Sequence, residues 1–118
     1  MTTNEIETLA YEIIDYCKRH EFGDTIVYYN GKRTFIDYDG DNSTEPANVH
    51  DYLEYAGDIL SMSFEGSMYD VFNYYYGSYS EKLIDEFNSI IGKYGLYYEH
   101  GNAWNLSLYY WEEINYYD

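Results

Sequence analysis

The sequence predicts one α+β domain spanning 1–118, in which an antiparallel sheet of two hairpins packs against helices in the order αββαααββ. Three observations carry this. Two runs of helical period, 3–20 and 81–93, are each followed by a pair of β-prone runs joined through Asn and Gly. A chain of 118 residues has the size of one domain and leaves no room for a second. Hydrophobic residues make up 46% of it and aromatics 22%, enough for a core. The mean hydropathy of −0.61 therefore reflects the 19 Tyr rather than disorder.

The elements follow in order. Ile6, Leu9, Ile13, Ile14 and Cys17 recur at helical spacing over 3–20. Thr2 and Glu5 can close a capping box, and Lys18, Arg19 and His20 suit the negative C-terminal end. Runs 25–29 and 33–38 read as strands joined through Asn30-Gly31, a favoured pair for a type I′ turn. Asp39 to Pro46 reads as a polar, acidic loop. Val49, Leu53, Ala56 and Leu60 then predict a helix over 48–61, and Met68, Val71, Phe72 and Tyr75 a shorter one over 67–76. Ser80 is placed to cap a helix over 81–93 with the stripe Leu83, Ile84, Phe87, Ile90 and Ile91, and Gly95 to end it. Strand 96–100 turns through Gly101-Asn102 into 103–111, where Trp104, Leu106, Leu108 and Tyr110 alternate with Asn105, Ser107 and Tyr109. The two helix–hairpin units each carry Tyr-Tyr in their first strand, a likeness that duplication or shared composition would both produce.

Charge is the feature that points to function. Six Lys and Arg face 22 Asp and Glu, for a net charge of −16 and a pI near 4.2. A magnitude of roughly 2–8 keeps a small domain soluble, and self-repulsion beyond that opposes folding. Tyr, Asn, Ile, Asp and Phe are plentiful, a mixture that AT-rich codons favour. Lys shares that bias, yet only Lys18, Lys32, Lys82 and Lys93 occur, which reads as selection against positive charge. The stretch from Asp37 to Glu81 holds ten acidic residues and not one Lys or Arg. On the expected helix, Asp51, Glu54 and Asp58 would share one face at the ~5–6 Å spacing of helical neighbours. Asp37, Asp39, Asp41 and Glu45 lie nearby in sequence.

Other chemistries find little support. His20, His50 and His100 are scattered without metal-ligand spacing to one another or to Cys17. The run Asp37–Asn42 lacks the Gly and Glu of a calcium loop, holding Asn42 and Asn48 at those positions. No Gly-rich phosphate loop or basic nucleic-acid-binding patch is present. We therefore expect no enzyme, no cofactor, no metal and no direct contact with nucleic acid. The single Cys17 forms no intrachain disulfide and reads as a small buried hydrophobe. The N-terminus lacks a secretion signal and no run approaches the ~20 apolar residues of a membrane span, so a cytoplasmic protein is expected. Asn42-Ser43-Thr44 and Asn105-Leu106-Ser107 match the glycosylation triplet by chance.

Tyr74-Tyr75-Tyr76, Tyr109-Tyr110 and Tyr116-Tyr117 are too clustered for all to be buried. Outward Tyr gives rigid area on which Arg stacks, while carboxylates fork to Arg. In composition and charge layout across the chain, the profile resembles the phage-encoded DNA-mimic inhibitors of the anti-CRISPR and anti-restriction type, a class without a common motif. The resemblance implies occupation of the nucleic-acid groove of a bacterial defence nuclease such as Cas9. The partner-binding residues would be Asp37, Asp39, Asp41, Glu45, Asp51, Glu54, Asp58, Glu65 and Asp70, with Tyr55, Tyr74 and Tyr76. An immunity protein that neutralises a cognate nuclease toxin is the alternative reading, and either a monomer or a homodimer is expected.

Overall fold

The computed structural model describes residues 1–111. Its first helix, α1 (Thr3–Arg19), begins with the expected capping box: the Thr2 hydroxyl accepts from the Glu5 backbone N–H at 3.1 Å, and the Glu5 carboxylate accepts from that of Thr2 at 2.9 Å. Leu9, Ala10, Ile13, Ile14, Tyr16 and Cys17 form its buried stripe. Strands β1 (Thr25–Tyr29) and β2 (Lys32–Ile36) follow as the expected hairpin. Asn30 and Gly31 both adopt left-handed backbone, φ 50° and 73°, as a type I′ turn requires.

Two expectations fail next, and each adds a strand. The predicted polar loop contains an exposed edge strand, β3 (Asn42–Pro46), antiparallel to β2. The helix expected over 48–61 does not form. A 3₁₀ turn at Val49–Asp51 gives way to irregular chain, and then to β4 (Leu60–Phe64), which hydrogen-bonds to β1 on one side and β6 on the other. Leu60, Met62 and Phe64 point into the core while Ser61 and Ser63 face the other way. A central strand satisfies its backbone on both sides, which outweighs the weak helical stripe. Gly57 is also a poor helix residue.

Helix α2 (Ser67–Phe72) is shorter than expected because Tyr74 turns left-handed at φ 62°. Helix α3 (Ser78–Gly92) starts from Gly77, and Ser80 lies within its first turn. There the Ser80 hydroxyl accepts from the Tyr76 N–H at 3.1 Å instead of capping. Gly95, at φ 74°, reverses the chain into β5 (Leu96–Asn102). The turn into β6 (Asn105–Tyr110) falls at Ala103-Trp104, two residues later than expected, after a bulge between His100 and Asn102. Gly101 is needed for close approach rather than for turning, since a Cβ there would lie 2.9 Å from the Cβ of Tyr55.

The strands make one antiparallel sheet of six, ordered β3-β2-β1-β4-β6-β5, and the fold is α+β as expected. Val27, Tyr29, Leu60, Met62, Phe64, Leu106 and Leu108 line its inner face against the helices. Tyr16 donates from the core to the Leu83 carbonyl at 2.7 Å, and Phe72 meets Phe87 edge to face at 5.2 Å. The two helix–hairpin units do not repeat in space: β1 lies inside the sheet while β5 forms its edge.

The outer face is covered by residues 47–59, a strap held by buried Leu53. Beneath it the sheet presents Ser61, Ser63, Asn105 and Ser107, all buried. Ser107 accepts from the Gly57 N–H at 3.2 Å and lies 2.7 Å from the Ser61 hydroxyl. Small side chains let the strap approach closely. No helix among the described residues is long and apolar enough to cross a membrane. Tyr116 and Tyr117 lie outside the described residues.

Candidate functional site

Three of the six bases pair with acids of α1. Arg19 pairs with Asp15 at 3.0 Å and Glu86 at 2.7 Å, Lys32 with Glu7 at 2.7 Å and Lys93 with Glu12 at 2.6 Å. Hydrogen bonds from Lys32 and Asn30 hold the Glu7 carboxyl below its ordinary value, and those from Lys93 and Tyr94 do the same for Glu12. Arg33 pairs with Glu45 at 3.0 Å. Lys18 reaches the Asn42 side chain at 3.3 Å, lines a pocket with Glu21, Asp37 and Asp39, and makes no ion pair among the described residues. Lys82 is exposed and likewise makes none among the described residues.

The opposite holds at one end of the sheet. Strand register aligns Ile36 of β2, Thr25 of β1 and Phe64 of β4. Asp37, Asp24 and Glu65 therefore leave three adjacent strands side by side, at the ~4.8 Å step between strands. The Glu65 N–H donates to the Asp24 carbonyl at 3.1 Å, which ties two of these connections together. Asp39 and Asp41 complete the β2–β3 turn: the Asp37 N–H donates to the Asp41 carbonyl at 2.9 Å, and the Asp41 N–H to the Asp39 carboxylate at 3.3 Å. Glu21 joins them, its carbonyl accepting from Ser67 at 3.3 Å. All six are exposed, and none is ion-paired among the described residues.

Tyr38 covers this end. Its side chain is 71% exposed, yet its backbone packs so tightly on Gly23 that a Cβ there would lie 2.6 Å from the Tyr38 Cα. Glu21 and Asp24 adopt left-handed backbone, φ 57° and 55°, to bring the chain round from α1 into β1.

A second surface adjoins the first through α2, whose six residues span ~9 Å. The turn between α2 and α3 exposes Tyr74, Tyr75 and Tyr76, and the start of α3 exposes Tyr79. Tyr75 meets Tyr76 edge to face at 5.2 Å, and Tyr76 meets Tyr79 at 6.2 Å. The Tyr76 hydroxyl is pushed above its ordinary value by desolvation and then by the nearby Asp70 carboxylate. Asn73 donates to the Ala103 carbonyl at 2.9 Å, anchoring this turn to the hairpin tip that carries exposed Trp104.

Of the sequence-predicted residues, the structure brings Asp37, Asp39, Asp41 and Glu65 together at the acidic end. It places Asp70, Tyr74 and Tyr76 at the tyrosine turn. Glu45 is occupied by Arg33. Asp51, Glu54, Asp58 and Tyr55 are exposed on the strap over the outer face. The row expected of the three acids does not exist, because the helix that would align them is absent. Sequence reasoning missed Glu21, Asp24 and Tyr79. A signal for Asp24 was present: a two-residue turn at Asn30-Gly31 pairs Thr25 with Ile36 and so sets Asp24 beside Asp37.

Among the described residues, no three His, Cys, Asp or Glu side chains are placed to hold a metal ion. Cys17 is buried and desolvation raises its thiol pKa, so it is a core residue without reactivity. The carboxyls whose titration is shifted, Glu5, Glu7, Glu12 and Glu86, are all shifted down. A cleft of about 590 Å³ between α1 and the β2–β3 hairpin is lined by Tyr11, Asp15, Lys18, Lys32, Thr34 and Thr44. The arrangement suits cation binding over a broad surface. No protein-family model, curated protein or solved structure matches the chain.

Proposed function

We propose that this chain is a stoichiometric inhibitor that presents a nucleic-acid-like surface and blocks the DNA- or RNA-binding groove of a bacterial defence nuclease. The favoured target is a Cas9-type enzyme, and a restriction nuclease is the other. The chain acts in the bacterial cytoplasm and catalyses no reaction. The observation that carries the reading is the acidic end: Asp37, Asp24 and Glu65 on adjacent strands, joined by Asp39, Asp41 and Glu21, with Lys18 the one base beside them among the described residues and not ion-paired to any of them.

The three acids follow strands whose backbones are one ~4.8 Å step apart, a spacing of the same order as the ~3.4 Å per phosphate along a DNA strand. Lysines and arginines that hold a duplex would meet these carboxylates instead. Long-range attraction speeds the encounter, and the tyrosine turn supplies contact area once the charges have met. Arg19, Lys32 and Lys93 are drawn into ion pairs with acids of α1, which leaves Lys18 as the base bordering this surface.

The test is cleavage of target DNA by a guide-loaded Cas9-type nuclease and by restriction nucleases, with added chain. Inhibition that saturates near one chain per nuclease supports the proposal. Its loss in Asp37→Lys/Asp41→Lys/Glu65→Lys, a variant whose changes are all exposed, assigns the surface. Undiminished inhibition by that variant sinks the assignment.

A further inference from the structure

Arg33 displays how this chain holds a guanidinium. Its Cζ lies 4.0 Å from the Tyr52 ring centroid and 4.6 Å from that of Phe35, and its side chain is only 15% exposed. Nη2 and Nε donate to one Glu45 carboxylate oxygen at 3.0 and 3.2 Å. Two ring faces and a carboxylate thus enclose one planar cation, a combination that suits Arg better than Lys.

The α2–α3 turn holds the same parts without the cation. Tyr75 and Tyr76 stand at 83° to each other, the edge of one ring against the other, and Tyr75 is 76% exposed. Asp70 lies beside them, its carbonyl accepting from the Tyr75 N–H at 2.9 Å and its carboxylate acting on the Tyr76 hydroxyl. Glu81 adds a second carboxylate on the first turn of α3. Lys82 is the one base nearby in sequence. It forms no ion pair and no cation–π contact with these rings among the described residues.

We infer that the Tyr74–Tyr79 turn is an arginine anchor. An Arg side chain of the partner stacks on the exposed Tyr75 ring, beside the perpendicular Tyr76, and pairs with Asp70, much as Arg33 uses rings and the Glu45 carboxylate. The identity of that partner as a nucleic-acid-binding protein rests on the proposed function; the preference for Arg does not. The division of labour is specific. The acidic end attracts any cation, and the tyrosine turn selects the planar one.

The experiment titrates the chain with an arginine-bearing peptide and a lysine-bearing twin of equal length and charge, by calorimetry. The expected result is tighter binding of the arginine peptide by about fivefold, because the planar guanidinium stacks on a ring while forking to a carboxylate, which an ammonium cannot do. Tyr75→Ala/Tyr76→Ala and Asp70→Asn should each erase that preference, weakening the arginine peptide more than the lysine peptide. Asp37→Lys/Asp41→Lys/Glu65→Lys should weaken both peptides yet keep the preference. Equal affinity of the wild type for the two peptides overturns the anchor, as does a preference that survives Tyr75→Ala/Tyr76→Ala. Failure of the nuclease assay with an intact preference would overturn only the proposed target. Circular dichroism of each variant confirms the fold, since both rings lie outside the core.

Discussion

Replacing Asp24 with Asn should stabilise the fold and weaken the partner complex at the same time. Asp24 sits between Asp37 and Glu65 at the end of three adjacent strands, so its charge faces two like neighbours. Asn keeps the shape and tolerates the left-handed φ of 55°, so the backbone need not change. At a separation of ~5 Å, two unit charges in water repel by ~0.8 kcal/mol before screening. Screening with a Debye length of ~8 Å at ~0.15 M salt roughly halves this. Losing both repulsions then gains about 0.8 kcal/mol at that salt, about 1.4 at ~0.01 M and about 0.3 at ~1 M. Splaying of the exposed side chains lowers all three figures in proportion. For a domain of this size, Tm should rise by roughly 3 °C at intermediate salt, by more at low salt and by about 1 °C at high salt. Thermal unfolding followed by circular dichroism at the three salt concentrations reads this directly. An unchanged Tm, or a rise that does not shrink with salt, refutes the reasoning that these carboxylates crowd one another.

Tyr16→Phe should lower stability by about 1 kcal/mol in urea titration, because the buried hydroxyl then no longer donates to the Leu83 carbonyl. Gly66→Ala should cost about 1–3 kcal/mol, since its Cβ would collide with the Gly23 carbonyl oxygen; a melt matching wild type would show that this junction yields. Glu12→Gln should be less stable than wild type at pH 7, with the gap closing in acid. The Glu12 carboxyl is held low by Lys93 and Tyr94, so its contribution is full above the unfolded value of 4.5 and is lost as pH falls through the folded one. Urea midpoints at neutral and acid pH check this.

The parts of the fold that the sequence displays are those set by near neighbours. The capping box of α1, the Asn30-Gly31 turn and the stripe of α3 each depend on residues within a few positions, and all three form. Strand β4 was hidden because its alternation runs through Ser61 and Ser63 and because both its partners are distant in sequence. Gly101 looked like a turn residue, whereas its role is set by Tyr55, far away along the chain. The same division applies to the site. Composition showed that bases are scarce, but only the ion pairs of Arg19, Lys32 and Lys93 show that they are gathered around α1. Asp37, Asp39 and Asp41 were visible as a local run. Their union with Glu65 depends on long-range strand pairing, and the strap positions of Asp51, Glu54 and Asp58 follow from the helix that did not form.

The central claim is that the acidic end competes with nucleic acid for a groove lined with bases. The most direct measurement is displacement of labelled duplex DNA from a guide-loaded Cas9-type nuclease or a restriction nuclease by added chain, across a range of salt. The account predicts displacement near one equivalent, weakening as salt rises, and lost in Asp37→Lys/Asp41→Lys/Glu65→Lys. DNA that stays bound in every such nuclease at large excess of chain, or displacement by the reversed variant as effective as by wild type, would contradict it.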